Sequence, residues 1–258
     1  MKAVILAGGF GTRISEETGV RPKPMVEIGG RPILWHIMKT YAAHKITDFV
    51  ILGGYKVDYI RDYFYNYVRA NSDFTIDLST GDIVWQRAET EPWRVTILDT
   101  GINSMTGGRI LRARQQIGDD TFCLTYGDGV SDVDIGKLVE FHKQKGRACT
   151  VTAVSPEGRF GVLSFNESRD LVTAFREKEK QDVGLINGGF FVCEPTIFDY
   201  IDDDLTVWEQ QPLARLVEQQ QLASFIHRGF WQSMDTLRDR NLLEQHWATG
   251  KAPWKIWE

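Results

Sequence analysis

The feature that most constrains this chain is a five-residue apolar run, Ala3 to Ala7, that empties into Gly8, Gly9 and Gly11 and is soon followed by a helix-patterned segment. A buried strand, a glycine turn and a helix make the opening unit of a parallel sheet, because neighbouring parallel strands need a crossover and a helix usually supplies it. The alternation continues. Asp48 to Leu52, Arg94 to Leu98, Thr121 to Tyr126 and Ala148 to Val154 read as strands, and Pro32 to His44, Lys56 to Val68, Gly107 to Ile117 and Val133 to Lys145 as helices. The expected fold class is α/β: a Rossmann-like, mixed, mostly parallel sheet with helices on both faces. Past Pro156 the strand-like pieces Gly161 to Phe165, Leu171 to Arg176, Leu185 to Cys193 and Leu222 to Phe230 surround one amphipathic helix near Val207 to Gln220. A helix from about Thr236 to Trp247 and a tail from Lys251 close the chain. We expect a single domain over 1–258, with a core at 1–155, a smaller lobe at 156–235 and a helix and tail at 236–258.

The glycines let the chain turn and expose bare N–H groups where a Cβ would obstruct an anion. Arg13 adds a fork of donors matched to phosphate, and Lys23 adds a point charge held between Pro22 and Pro24. A glycine turn alone would only pack a helix on a sheet; joined to Arg13 and Lys23 it reads as a polyphosphate site. Residues 8 to 13, GGFGTR, lack the third glycine of the dinucleotide fingerprint G-x-G-x-x-G, which argues against a nicotinamide oxidoreductase. Ligands of such sheets bind beyond the carboxyl ends of the strands, where Gly8, Gly53-Gly54 and Gly127-Asp128-Gly129 fall. Asp128 suits a turn residue or a metal ligand, and Asp235 a helix cap or a second ligand for the same ion. Ser104 or Thr106 suits the N-cap of the helix that begins near Gly107, and by themselves Glu177-Lys178 read as an ordinary surface pair.

From Leu6 to Pro24 the chain resembles the signature of the sugar-nucleotide pyrophosphorylases, a family of nucleotidyltransferases. The resemblance continues through Gly127-Asp128-Gly129, Glu177-Lys178, Asn187-Gly188-Gly189-Phe190 and Trp231 to Asp235, and so spans nearly the whole chain. Over its length the chain is most similar to the members that use CTP and glucose 1-phosphate to make CDP-glucose, a supply reaction for polysaccharide (O-antigen) synthesis. The resemblance implies nucleotide contacts from Leu6, Ala7, Gly8, Gly9, Gly11, Thr12, Arg13, Lys23, Ser104, Thr106, Gly107, Arg109 and Asp128, with Arg109 a candidate donor to the base. It implies sugar-phosphate contacts from Gly161, Glu177, Lys178, Asn187 and Gly188, catalytic roles for Arg13 and Lys23, and Mg²⁺ on Asp128 and Asp235. The family usually reads Glu-Lys-Pro where this chain has Glu177-Lys178-Glu179. Uridylyl or thymidylyl transfer would use the same phosphate machinery, and a nucleotide sensor without catalysis is the reading from a different class.

Thirty basic and 35 acidic residues leave a net charge of −5, which argues against broad neutralisation of a nucleic acid. Positive charge is local: Lys2, Arg13, Arg21, Lys23 and Arg31 outnumber Glu16, Glu17 and Glu27 in the first 31 residues. Cys123, Cys149 and Cys193 lie in apolar runs without C-x-x-C spacing and read as free thiols of a reducing compartment. The five histidines have no zinc-like spacing, and no apolar span approaches the ~20 residues that cross a bilayer. A cytoplasmic protein is expected. Phe74 to Arg87 reads as a hairpin around Ser79-Thr80-Gly81-Asp82 that stands outside the α/β alternation. Because an isolated hairpin is marginal in water, it predicts pairing with another subunit, with the tryptophan tail docked there too, and hence a homo-oligomer; packing on its own subunit is the alternative.

Overall fold

The computed structural model describes residues 1–88, 90–155, 162–165, 172–176 and 184–257, the side chains of 13, 15, 16, 87, 88, 162–165 and 172–176 excepted. Its centre is a seven-stranded sheet made of β1 (Lys2–Ala7), β2 (Asp48–Gly53), β3 (Arg94–Asp99), β4 (Phe122–Tyr126), β5 (Cys149–Val154), β6 (Ile186–Cys193) and β7 (Leu222–His227), in spatial order β7-β5-β6-β4-β1-β2-β3. β4, β1, β2 and β3 run parallel to one another, β5 and β7 pair in parallel, and β6 alone is antiparallel to both its neighbours. The sheet is thus mixed and mostly parallel, as its sequence pattern implies.

Side chains alternate between two cores because successive strand residues face opposite sides. Ala3, Ile5, Phe49, Ile51, Cys123, Phe190 and Val192 enter one core; Val4, Leu6, Val50, Leu52, Leu124, Phe191 and Cys193 enter the other. Both faces being covered, the strands are apolar runs rather than half-polar ones. The first core is roofed by α1 (Ile33–Ala43) and also takes in Leu138 of α4 (Ile135–Lys145) and Leu243 of α6 (Leu237–Ala248). α2 (Val57–Tyr65) contributes Ile60 to the same core. The second core takes Ile110 from α3 (Thr106–Arg112) and Leu216 from α5 (Gln211–Glu218).

Several sequence expectations are adjusted in detail. The helix expected over Lys56 to Val68 is interrupted at Asn66, and that over Gly107 to Ile117 at Ala113, each followed by a separate short turn of helix. Asp235 does not cap α6. Thr236 does, accepting from the Asp239 N–H at 3.2 Å while the Asp239 carboxylate accepts from the Thr236 N–H at 2.9 Å. Nor does Ser104 or Thr106 cap α3, whose N-cap is Met105 without a side-chain bond. The tail is docked on its own chain: Trp254 is fully buried among Phe230, His36 and Trp247. All three cysteines are buried free thiols. The expected hairpin is present as Ser72–Ile76 paired with Ile83–Ala88, and it exposes Phe74, Ile76, Val84 and Trp85. Among the described residues no helix is long and apolar enough to cross a membrane.

Candidate active site

The carboxyl ends of β1 and β4 meet the amino end of β6 along one rim, because β6 alone runs antiparallel to its neighbours in the sheet. A cleft of about 740 Å³ opens there. The Leu6 to Thr12 turn and the Ser104 to Thr106 segment line it, as do Asp128, Asn187, Gly188 and Asp235.

Lys23 stands between the two aspartates. Pro22 precedes and Pro24 lies within the 3₁₀ turn Lys23–Met25, so two rings restrict the backbone that carries this side chain. Its Nζ donates to Asp128 Oδ2 at 2.6 Å and to Asp235 Oδ1 at 2.9 Å. Burial by itself would lower the Lys23 pKa, but the Asp128 and Asp235 carboxylates outweigh it and hold the ammonium above its ordinary value. Asp235 reaches Asp128 through a short ladder, Trp231–Ser233 on Gly129–Ser131, reinforced by Met234 N–H donating to the Asp128 carbonyl at 2.8 Å. Ser233 Oγ donates to the other oxygen of Asp235 at 3.0 Å. Two carboxylates within one hydrogen bond of the same cation are a hard oxygen donor pair of the kind that suits a divalent ion. No cluster of three or more His, Cys, Asp or Glu that could hold a metal occurs among the described residues.

Arg109 lines the cleft with its guanidinium engaged by carbonyls of its own chain. It is 5% exposed, and its NH1 donates to the Gly53 and Gly101 carbonyls and to Thr100 Oγ1, while NH2 donates to the Gly8 and Ile102 carbonyls. The guanidinium ties three loop ends together beneath the cleft. This also explains two glycines: a Cβ on Gly8 or Gly54 would lie 2.4 Å or 2.2 Å from it. Gly107 is not among the residues lining the cleft; its N–H donates to the Thr206 carbonyl at 2.9 Å, and a Cβ there would press on Thr206. Its glycine serves packing.

A model of the nucleotidyl transferase family matches residues 2–239. The chain belongs to the nucleotidyl transferase family. It is 54% identical over 259 residues to the glucose-1-phosphate cytidylyltransferase of Salmonella typhimurium, covering 100% of both chains. It is 44% identical over 258 residues to the probable glucose-1-phosphate cytidylyltransferase of Bacillus subtilis, again covering 100% of both. Among solved structures, HddC from Yersinia pseudotuberculosis complexed with GMP-PN shares the fold with a TM-score of 0.69 at 23% identity, over 95% of this chain and 99% of that one.

Of the residues expected in this nucleotidyl transferase's site, Leu6, Ala7, Gly8, Gly9, Gly11, Thr12, Lys23, Ser104, Thr106, Arg109, Asp128, Asn187, Gly188 and Asp235 all line the cleft. Gly161, Glu177 and Lys178 lie outside the described residues, as does the Arg13 side chain. Glu209 and Tyr126 are among the lining residues that were not anticipated. Glu209 accepts from Thr106 Oγ1 at 2.7 Å and from the Tyr126 hydroxyl at 2.6 Å, and Asn187 Nδ2 donates to that hydroxyl at 3.3 Å. Burial, then the Glu209 charge, pushes the Tyr126 phenol far above its ordinary pKa, so it remains a neutral donor. Tyr126 could have been noticed as the strand residue before Gly127-Asp128-Gly129; Glu209 carries no local signal.

Proposed function

We propose that this nucleotidyl transferase moves the cytidylyl group of CTP onto the phosphate of glucose 1-phosphate, giving CDP-glucose and pyrophosphate. The observation that carries the chemistry is the convergence of Lys23, Asp128 and Asp235 beside the glycine turn. The choice of substrates rests on 54% identity across the whole chain to the Salmonella enzyme.

The attacking phosphate oxygen is already an anion, so the reaction needs no general base; what it needs is alignment of two polyanions and neutralisation of charge. The turn from Gly8 to Thr12 presents backbone N–H groups to the triphosphate. Lys23 meets the α-phosphate, and Arg13, on its place in the motif, meets the departing pyrophosphate. Asp128 and Asp235 would hold Mg²⁺, which when bound supplies positive charge to the phosphate oxygens. We assign the nucleotide to the core of residues 1–155 and the sugar phosphate to residues 156–235, with Gly161, Glu177, Lys178, Asn187 and Gly188 as its contacts. Ser104, on the β3–α3 connection, and Thr106, at the start of α3, are the polar side chains assigned to the nucleotide. Arg109 holds the walls of the cleft.

The same reading includes a homo-oligomer in which a second copy covers the apolar Ser72–Ile76 and Ile83–Ala88 hairpin; light scattering that reports a monomer at micromolar concentration would exclude it. The function is tested by crossing CTP, UTP and dTTP with sugar 1-phosphates in a pyrophosphate-release assay. CTP with glucose 1-phosphate should have the highest kcat/KM. UTP presents a donor at N3 and an acceptor at O4 where cytosine presents the reverse, and each such mismatch costs ~1–3 kcal/mol. A tenfold preference for UTP or dTTP would overturn the cytidylyl assignment, and no pyrophosphate from any pair would leave the sensor reading in its place.

A further inference from the structure

The Lys23 ammonium is the most sheltered member of its trio, its side chain 12% exposed against 31% for Asp128 and 29% for Asp235. The backbone that carries it has little freedom. Pro22 and Pro24 flank it, and a Cβ on Gly11 would come within 3.1 Å of the Lys23 Cβ, so the glycine turn is packed on its stem. Only the side-chain torsions can relocate Nζ. The two carboxylates, left alone, would form a doubly negative pair that draws in any divalent ion; bridged by the ammonium, the trio carries a single negative charge. A free metal ion would have to break two charge-assisted hydrogen bonds and leave a sheltered ammonium with no anion to receive it, which is strongly unfavourable. A metal that arrives with a nucleoside triphosphate brings that anion with it.

We propose that Lys23 is a resident cation that keeps free divalent metal off Asp128 and Asp235, so that metal and nucleoside triphosphate occupy the site together and the ammonium transfers from the carboxylates to the phosphates. This rests on the assignment of the two aspartates as metal ligands. It makes Lys23 a positioning residue for order of binding as well as a contact to substrate.

The test is a Mn²⁺ titration of the protein without nucleotide, followed by electron paramagnetic resonance. Wild type should bind Mn²⁺ weakly, and Lys23→Met, which keeps the length of the side chain and removes its charge, should bind about tenfold or more tightly. Lys23→Arg, which restores the cation, should return to weak binding. Equal Mn²⁺ affinity in wild type and a folded Lys23→Met would overturn the proposal. A second measurement needs no variant: crystals of the wild-type protein soaked in Mn²⁺ alone should show no anomalous peak between Asp128 and Asp235, and crystals soaked in Mn²⁺ with CTP should show one, with Nζ displaced. A peak from Mn²⁺ alone refutes the proposal. The outcome separates from that of the functional reading: CTP turnover by the wild type with Mn²⁺ affinity unchanged in Lys23→Met defeats this inference only, whereas tighter Mn²⁺ binding by Lys23→Met beside a wild type that turns over no CTP defeats the activity only.

Discussion

Replacing Arg109 with methionine separates two roles that one side chain in this cleft could have. The guanidinium lies under the cleft with NH1 and NH2 directed at four carbonyls and one hydroxyl. When it is removed, the Gly8 and Gly53 carbonyls keep second donors, the N–H groups of Tyr55 and Thr100. The Thr100 hydroxyl also keeps a partner, since it donates to the Gly53 carbonyl at 2.6 Å, so the loss falls chiefly on the partly buried Gly101 and Ile102 carbonyls. At ~1.5–3 kcal/mol for each hydrogen bond to a charged group, lessened by the partial exposure of these carbonyls, Arg109→Met should destabilise the fold by about 2–5 kcal/mol. For a chain of this size that lowers the melting midpoint on the order of 10 °C. Arg109→Lys, with a single ammonium in place of the fork, should fall between. Calorimetry or urea unfolding reads the stability, and steady-state kinetics on the surviving folded fraction reads the CTP against UTP preference. If Arg109→Met unfolds at the wild-type midpoint while discrimination between CTP and UTP collapses, the guanidinium reads the base and the clamp argument is wrong.

Asp128→Asn and Asp235→Asn should each reduce turnover by ~100-fold or more, and, on the proposal that both hold one ion, the double variant should lose far less than the product of the two; multiplicative losses would mean separate roles. Thr236→Ala should destabilise by ~1 kcal/mol through loss of the α6 cap while leaving kcat unchanged, as measured by urea unfolding beside an activity assay. Burial holds His36 down at about 4 against an ordinary 6.5, so it stays neutral in the folded chain while the unfolded chain takes up a proton. Its contribution is present above pH 6.5 and is lost as pH falls toward 4, by about 3 kcal/mol in all. Unfolding curves at pH 7.5 and 5 should show about 2 kcal/mol of this loss, and a His36→Gln variant that keeps the full pH dependence would exclude His36 as its source.

The α/β class, its strand runs and the glycine turn could be read from the sequence because their signals are local. An apolar run of five or six residues ending in glycine announces a buried strand wherever it occurs, as Ala3 to Ala7 does. The antiparallel placement of Ile186–Cys193 between two otherwise parallel groups was not legible, since its apolar pattern is the same in either direction. Nor could the sequence choose between cap and ligand for Asp235, because aspartate before a helix suits both. Tertiary structure removes the cap role: Thr236 and Asp239 satisfy the helix end, and the Trp231–Ser233 ladder carries Asp235 to Lys23, 212 residues away in the chain. Arg109 shows the converse, a charged side chain in a recognisable nucleotide segment whose donors the fold turns inward to loop carbonyls. Residue types and spacing thus determined which chemical groups were available at the strand ends. Which of them meet depends on strand order and register, and those follow from how the two cores pack on either face of the sheet, a property of many distant residues at once.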